Sequence, residues 1–500
     1  MAEASITIPE PQPASGSWWR ADDAPQPTGT FSDRFSPAIS VLAAAFLIAS
    51  LTSVVWLSAS VPKLDRIEAP EQALTRMVGR TMDVQLGQDR APWWQRVLLG
   101  WITGDNNQER TQAIEWYKEL AKTSEDPVVP LQLAVLQAES GQAAQALMAA
   151  QEWRALSDPF PREAELLQAA YGDGIGVDQE TLLRLQADAA ELLPAGWFYE
   201  RLGERLASRA NNQPLLLSIQ QRAGARSDRL FSYSWKLTVV ELCTMLAGSL
   251  ILLHVWRTRR TDPDVIRLHA VGVPPPWPGG IGAAVLLRGG AIGALITAVM
   301  LLYMPPENAS LRALAIPMTN VPLLFLAYRH LFRPSGLSFE DGFGLDIPWS
   351  KVGQLGAAII AAVAAGLWGE WAMDRATEYW HLGSHWTEWF DSDLVWGAPS
   401  LTLVSLIEYV VFAPLFEELA FRGLLFAILR RKFRFLPAAL ISASIFGVAH
   451  GYGLVGLISV CWSGVLWAWI YEKTGSLVPG IFAHAINNLL VCLAVMALLR

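Results

Sequence analysis

The sequence predicts an all-α fold, a polytopic membrane helix bundle of about eight or nine spans carrying an inserted soluble helical domain. Three observations predict it. Apolar runs long enough to cross a bilayer recur after residue 234. One such run stands alone near the N-terminus. The stretch between them has the composition of a water-soluble protein. The chain is 52% hydrophobic and only 17% charged, where soluble proteins carry about 25% charged residues.

Residues 1–36, rich in Pro, Ser and Asp, predict a disordered tail. Residues 37–60 contain no charged side chain. At about 1.5 Å per residue they can cross a hydrocarbon core of about 30 Å, and they are read as a transmembrane anchor. A cleaved signal peptide is the weaker reading, because the preceding stretch is long and not basic. Residues 62–234 alternate helical patterns with breakers, predicting a soluble helical domain; a helix pair such as 131–156 makes it repeat-like, but no clean period emerges. Residues 235–332 predict additional transmembrane helices, and 335–500 a further membrane-embedded core. Arg257, Arg259 and Arg260, then Arg329 and Arg333, then Arg430, Arg431, Lys432 and Arg434 follow the ends of apolar runs. The positive-inside rule sets these clusters in the cytoplasm, which places 62–234 outside it. The Trp-rich loop 372–396 falls on the same side and is expected to lie along the membrane surface. The expected location is therefore the cell (inner) membrane, crossed many times.

A net charge of -8 without a long basic stripe argues against nucleic-acid binding. The three cysteines, Cys243, Cys461 and Cys492, all fall in apolar runs and imply no disulfide framework.

Ionisable side chains inside a span cost about 2.5–3.5 kcal/mol each on insertion scales, so each is a functional candidate. The densest set is Glu417, Glu418 and Arg422. Glu418 and Arg422 are i,i+4 partners on a helix, whereas Glu417 is rotated by about 100° and is free to face a cavity. Phe446 and His450 share one face of the next span, His484 and Asn488 one face of the last. Glu417 lies 15 residues before Lys432 and His450 lies 14 after Leu436, so both sit about 21–23 Å from the same turn. His484 is only seven residues into its span and joins them only if that helix begins deeper. Glu408 has no evident role beyond a second polar contact.

These patterns, E-E-x-x-x-R at 417–422, F-x-x-x-H at 446–450 and H-x-x-x-N at 484–488, resemble in kind and order the signature motifs of the CAAX-protease and bacteriocin-processing (CPBP) family. That family covers CAAX prenyl protease 2-like and lysostaphin resistance protein A-like (Abi) membrane proteins. The likeness covers roughly 335–500; the stretch 343–351 resembles the family's short loop entering the core. It implies a membrane endopeptidase acting on a membrane-associated protein or peptide. Glu417 would activate water, His450 would hold or polarise it, and His484 and Asn488 would steady the oxyanion, with Glu418 and Arg422 in support. The residue types suit that chemistry, since a peptide carbonyl in a dry site needs a base, a water and aimed donors. The family has been described as metalloproteases. The sequence has no H-E-x-x-H pattern, so no metal or other cofactor is favoured; zinc, bound by Glu417, His450 and His484, is the alternative. The rivals are a scaffold that keeps the fold without turnover and a proton-coupled transporter. Beyond substrate and lipid bilayer, 62–234 offers a surface for an extracytoplasmic protein partner.

Overall fold

A computed structural model of the chain describes residues 27, 29–31, 35–103, 106–173, 177–262, 264–303 and 309–500. The tail expected over 1–36 lies outside them except for residues 27, 29–31, 35 and 36. Among the described residues every regular element is helical.

Among the described residues eight helices are long and apolar enough to cross a membrane: α1 (Pro37–Ser60), α2 (Gln213–Thr258), α3 (Gly279–Tyr303), α4 (Leu311–Ser335), α5 (Trp349–Tyr379), α6 (Pro399–Arg430), α8 (Leu454–Thr474) and α9 (Val478–Leu499). A shorter apolar helix, α7 (Phe435–His450), lies between α6 and α8. The chain is an integral, multi-pass membrane protein with an all-α bundle. A helix pairs backbone donors and acceptors internally, which is what hydrocarbon demands.

Residues between α1 and α2 form a layer of helices packed around Leu74, Val78, Tyr117, Val135, Leu166, Leu202 and Leu206. The change from soluble to membrane composition near residue 234 is not a linker, because α2 runs unbroken across it for 46 residues. Its soluble half is clamped by Arg226, which makes paired hydrogen bonds to Asp83 (2.6 and 2.8 Å) and to Glu200 (2.7 and 2.5 Å). The domain rests on one end of the bundle. Trp386, Phe390 and Val395 from the loop after α5, and Leu499 from the end of α9, join its core. Trp386 is thus fully buried against the domain rather than lying on a lipid surface, while Trp380 and Trp389 stay exposed.

At the opposite end the inter-helix loops interlock. Thr474 O accepts from the N–H groups of Leu268 and His269, Lys351 donates to the carbonyls of Arg267 and Leu268, and Arg430 pairs with Glu472. The loop entering α9 is sunk into the protein: Ser476 Oγ donates to Gly344 O, and Leu477 N–H donates to Phe343 O. Thr474, Ser476 and Leu477 are all at most 1% exposed. Helix α9 therefore starts below the bundle's surface.

Candidate active site

Helix α6 is not uniform. Turns widened to the π type cover Glu408–Phe412 and Glu418–Phe426, a deviation that recurs at functional sites. Proline explains the first. Ala413 N–H bonds to Glu408 O, five residues back. The corresponding partner for Tyr409 O would be the N–H of residue 414, and Pro414 has none. The orphaned carbonyl is satisfied from another helix: Asn488 Nδ2 donates to Tyr409 O at 2.9 Å. Asn488 retains a second N–H.

Glu418 and Arg422 form the expected pair at 2.8 Å, with side chains 0% and 1% exposed. The Arg422 guanidinium also lies 4.2 Å from the Phe446 ring centroid, in cation–π geometry. Room for it comes from Gly464 on α8, where a Cβ would stand 3.1 Å from Arg422 Nη2 and 2.8 Å from Ala443 Cβ.

His484 meets both glutamates. Its Nδ1 is 3.1 Å from Glu418 Oε1, and its Nε2 is 3.8 Å from Glu417 Oε2. With a proton on Nδ1, the imidazole donates to Glu418 Oε1 and turns the Nε2 lone pair towards Glu417. Trp467 stacks on the imidazole, centroid to centroid 6.1 Å. The depth mismatch expected for His484 disappears because α9 begins inside the protein. Glu417, by contrast, has no partner within hydrogen-bond reach among the described residues, and its side chain is 26% exposed. The gap of 3.8 Å to Nε2 is too long for a direct hydrogen bond and suits a bridging water.

His450 ends α7, and its Nδ1 donates to Phe446 O at 2.8 Å, leaving Nε2 as its open nitrogen. Its ring packs edge-on against Phe446, centroids 4.6 Å apart, and Phe446 in turn lies 6.2 Å from His484. Thus Glu417, Glu418, Arg422 and His484 converge directly; Asn488 joins through the α6 backbone and His450 through Phe446.

Sequence reasoning missed Tyr409 and Trp467. Tyr409 also donates its hydroxyl to Asp391 Oδ2 at 2.8 Å, tying the site to the domain-side loop. Pro414, five residues after Tyr409, is the signal that could have revealed a freed carbonyl. Glu408 lies 3.7 Å from Arg312, which also pairs with Asp393 at 2.6 Å, so it belongs to an ion cluster between α4 and α6. For the zinc alternative, no group of three or more His, Cys, Asp or Glu among the described residues is arranged to hold a metal ion. Both His484 nitrogens face carboxylates.

Residues 399–490 match the family model described as Type II CAAX prenyl endopeptidase Rce1-like. A protein of Bacillus subtilis (strain 168) named "Putative membrane peptidase YdiL" is 30% identical over 156 residues, 30% of this chain and 57% of that relative. No solved structure matches the chain.

Proposed function

We propose, from the premise that the C-terminal region of this chain belongs to the CPBP family of membrane peptidases, that the protein is an endopeptidase. It would hydrolyse a peptide bond of a membrane-associated protein or peptide. The observation that carries the reading is the unequal treatment of adjacent acids. Glu418 is sealed against Arg422 and His484, while Glu417 has no hydrogen-bond partner among the described residues, stands 3.8 Å from His484 Nε2 and is partly open.

In this reading Glu417 takes a proton from a water lying between its carboxylate and His484 Nε2, and that water attacks the carbonyl carbon. The Arg422–Glu418–His484 chain fixes the imidazole, as a buried carboxylate does for a catalytic histidine. As negative charge develops on the carbonyl oxygen, the second N–H of Asn488 supplies a donor, and His450 offers its open Nε2 to hold or polarise the water. Glu417 then returns the proton to the leaving amine. Among the described residues no group of three or more His, Cys, Asp or Glu is arranged to hold a metal ion, and no step is routed through zinc.

The 62–234 layer lies on one end of the bundle, and we place it outside the cytoplasm, where it can meet a protein partner. The test compares membrane-proteome N-termini from cells carrying wild-type or Glu417→Gln protein. An endopeptidase predicts peptide termini that vanish in the variant while the variant accumulates normally. Identical termini in both would favour the scaffold or transporter.

A further inference from the structure

The helix Trp93–Thr103 (WWQRVLLGWIT) lies within the soluble layer by sequence position, yet its exposed face is apolar. Trp93 is 71% exposed and Val97 62%, with Trp94, Leu98 and Trp101 also exposed. At about 100° per residue these five side chains fill one arc of about 140°. The opposite side holds Leu99, which is buried, while Arg96, outside the arc, is exposed. A helix that exposes its apolar arc and buries a residue behind it is turned outward, contrary to the rule for a helix in water.

Its location supplies a second observation. Trp101 packs against Trp368 and Trp371 of α5, centroids 6.1 and 5.1 Å apart, and Trp371 Nε1 donates to Trp101 O at 2.9 Å. Trp94 packs edge-on against Trp235 of α2 at 5.4 Å. Those partners stand at the domain-side ends of two membrane-crossing helices, where tryptophan marks the bilayer interface. The exposed arc is thus continuous with the lipid-facing surface of the bundle.

We propose that Trp93–Thr103 lies in the plane of the bilayer, its Trp93–Trp94–Val97–Leu98–Trp101 face sunk into the leaflet on the domain's side. Helices of this kind bury their apolar face to about 5–10 Å in the headgroup and acyl boundary. The helix moors the soluble layer at a point distinct from α1 and α2. It fixes the height of the layer over the outer ends of α6 and α9, whatever reaction the bundle performs.

Spin labels at Val97, Leu98 and Arg96, each alone in a variant with Cys243, Cys461 and Cys492 replaced, test this in the full chain reconstituted in phosphatidylcholine–phosphatidylglycerol nanodiscs. Labels at 97 and 98 are expected to collide more with oxygen than with a water-soluble nickel chelate, and the label at 96 the reverse. Nickel-dominated collisions at 97 and 98 would overturn the proposal. So would shielding from both reagents with spin–spin broadening, which means a second copy covers the face. The wild-type chain gives an independent check without substitution: a diazirine-bearing phospholipid should label the 93–101 peptide. Labelling of α1 and α2 peptides with none on 93–101 would refute the placement.

Discussion

Replacing Glu418 by Gln isolates what the buried pair contributes. The wild-type carboxylate and the Arg422 guanidinium are 0% and 1% exposed and 2.8 Å apart. The substitution keeps the shape and removes the charge. Arg422 already has Nε and Nη2 without hydrogen-bond partners among the described residues, so it would be left with the Phe446 ring as its main compensation. Breaking a buried pair in this way costs about 3–5 kcal/mol. At about 1.4 kcal/mol per tenfold, the folded-to-unfolded ratio falls by roughly two to three and a half decades. Cys492, which is buried, can report the loss. Its rate of modification by a thiol reagent in detergent, in a Cys243→Ser background and across a denaturant series, should rise at lower denaturant in Glu418→Gln. Adding Arg422→Met removes the stranded charge and should recover most of the stability. If Glu418→Gln alone unfolds at the wild-type denaturant concentration, the pair carries no such energy and the argument fails.

Other outcomes follow from the same geometry. Asn488→Ala should lower kcat by about 10²–10³, the usual cost of one oxyanion donor, measured on a cleavable peptide with folding checked by Cys492 protection. Glu163 in the soluble layer is fully buried with neither oxygen hydrogen-bonded among the described residues, and burial first, then Asp126, pushes its carboxyl up to about 8. The folded state then holds a proton that the unfolded chain releases from about pH 4.5 upward, so its stabilising contribution is lost as pH rises towards 8. Stability should drop by about 2 kcal/mol between pH 6 and 8 through this group, and Glu163→Gln should flatten the slope; an unchanged slope contradicts it. Leu183, 68% exposed on the soluble layer, offers a test of side. Leu183→Cys should react with an impermeant thiol reagent in intact cells, and labelling only after lysis would invert the orientation.

How much was legible follows the range of each interaction. The Glu418–Arg422 pair could be read directly, because i,i+4 spacing keeps two side chains on one helical face even where the turn is widened. The spans could be read because bilayer thickness fixes their length. Depth was harder. His484 looked misplaced by residue count, because counting assumes a helix starting at the surface, whereas α9 starts under the Phe343–Gly344 loop. The Asn488 contact was illegible because it depends on a carbonyl freed by Pro414 on another helix. Trp386 was assigned to a lipid surface on tryptophan content alone, yet the soluble layer supplies a dry surface for it. The apolar arc of Trp93–Trp101 is masked in the sequence by the polar composition around it.

The central claim is that Glu417 is the base of a peptidase, and one measurement tests it most directly. Wild-type and Glu417→Gln proteins, purified and reconstituted in the same lipid, are incubated with a peptide whose termini were lost from Glu417→Gln cells, and products are quantified by mass spectrometry. The account predicts cleavage by the wild type and a loss of at least about 10³-fold in the variant, within the range for removing a general base, with unchanged Cys492 protection. Wild-type turnover by a correctly folded Glu417→Gln protein would contradict it.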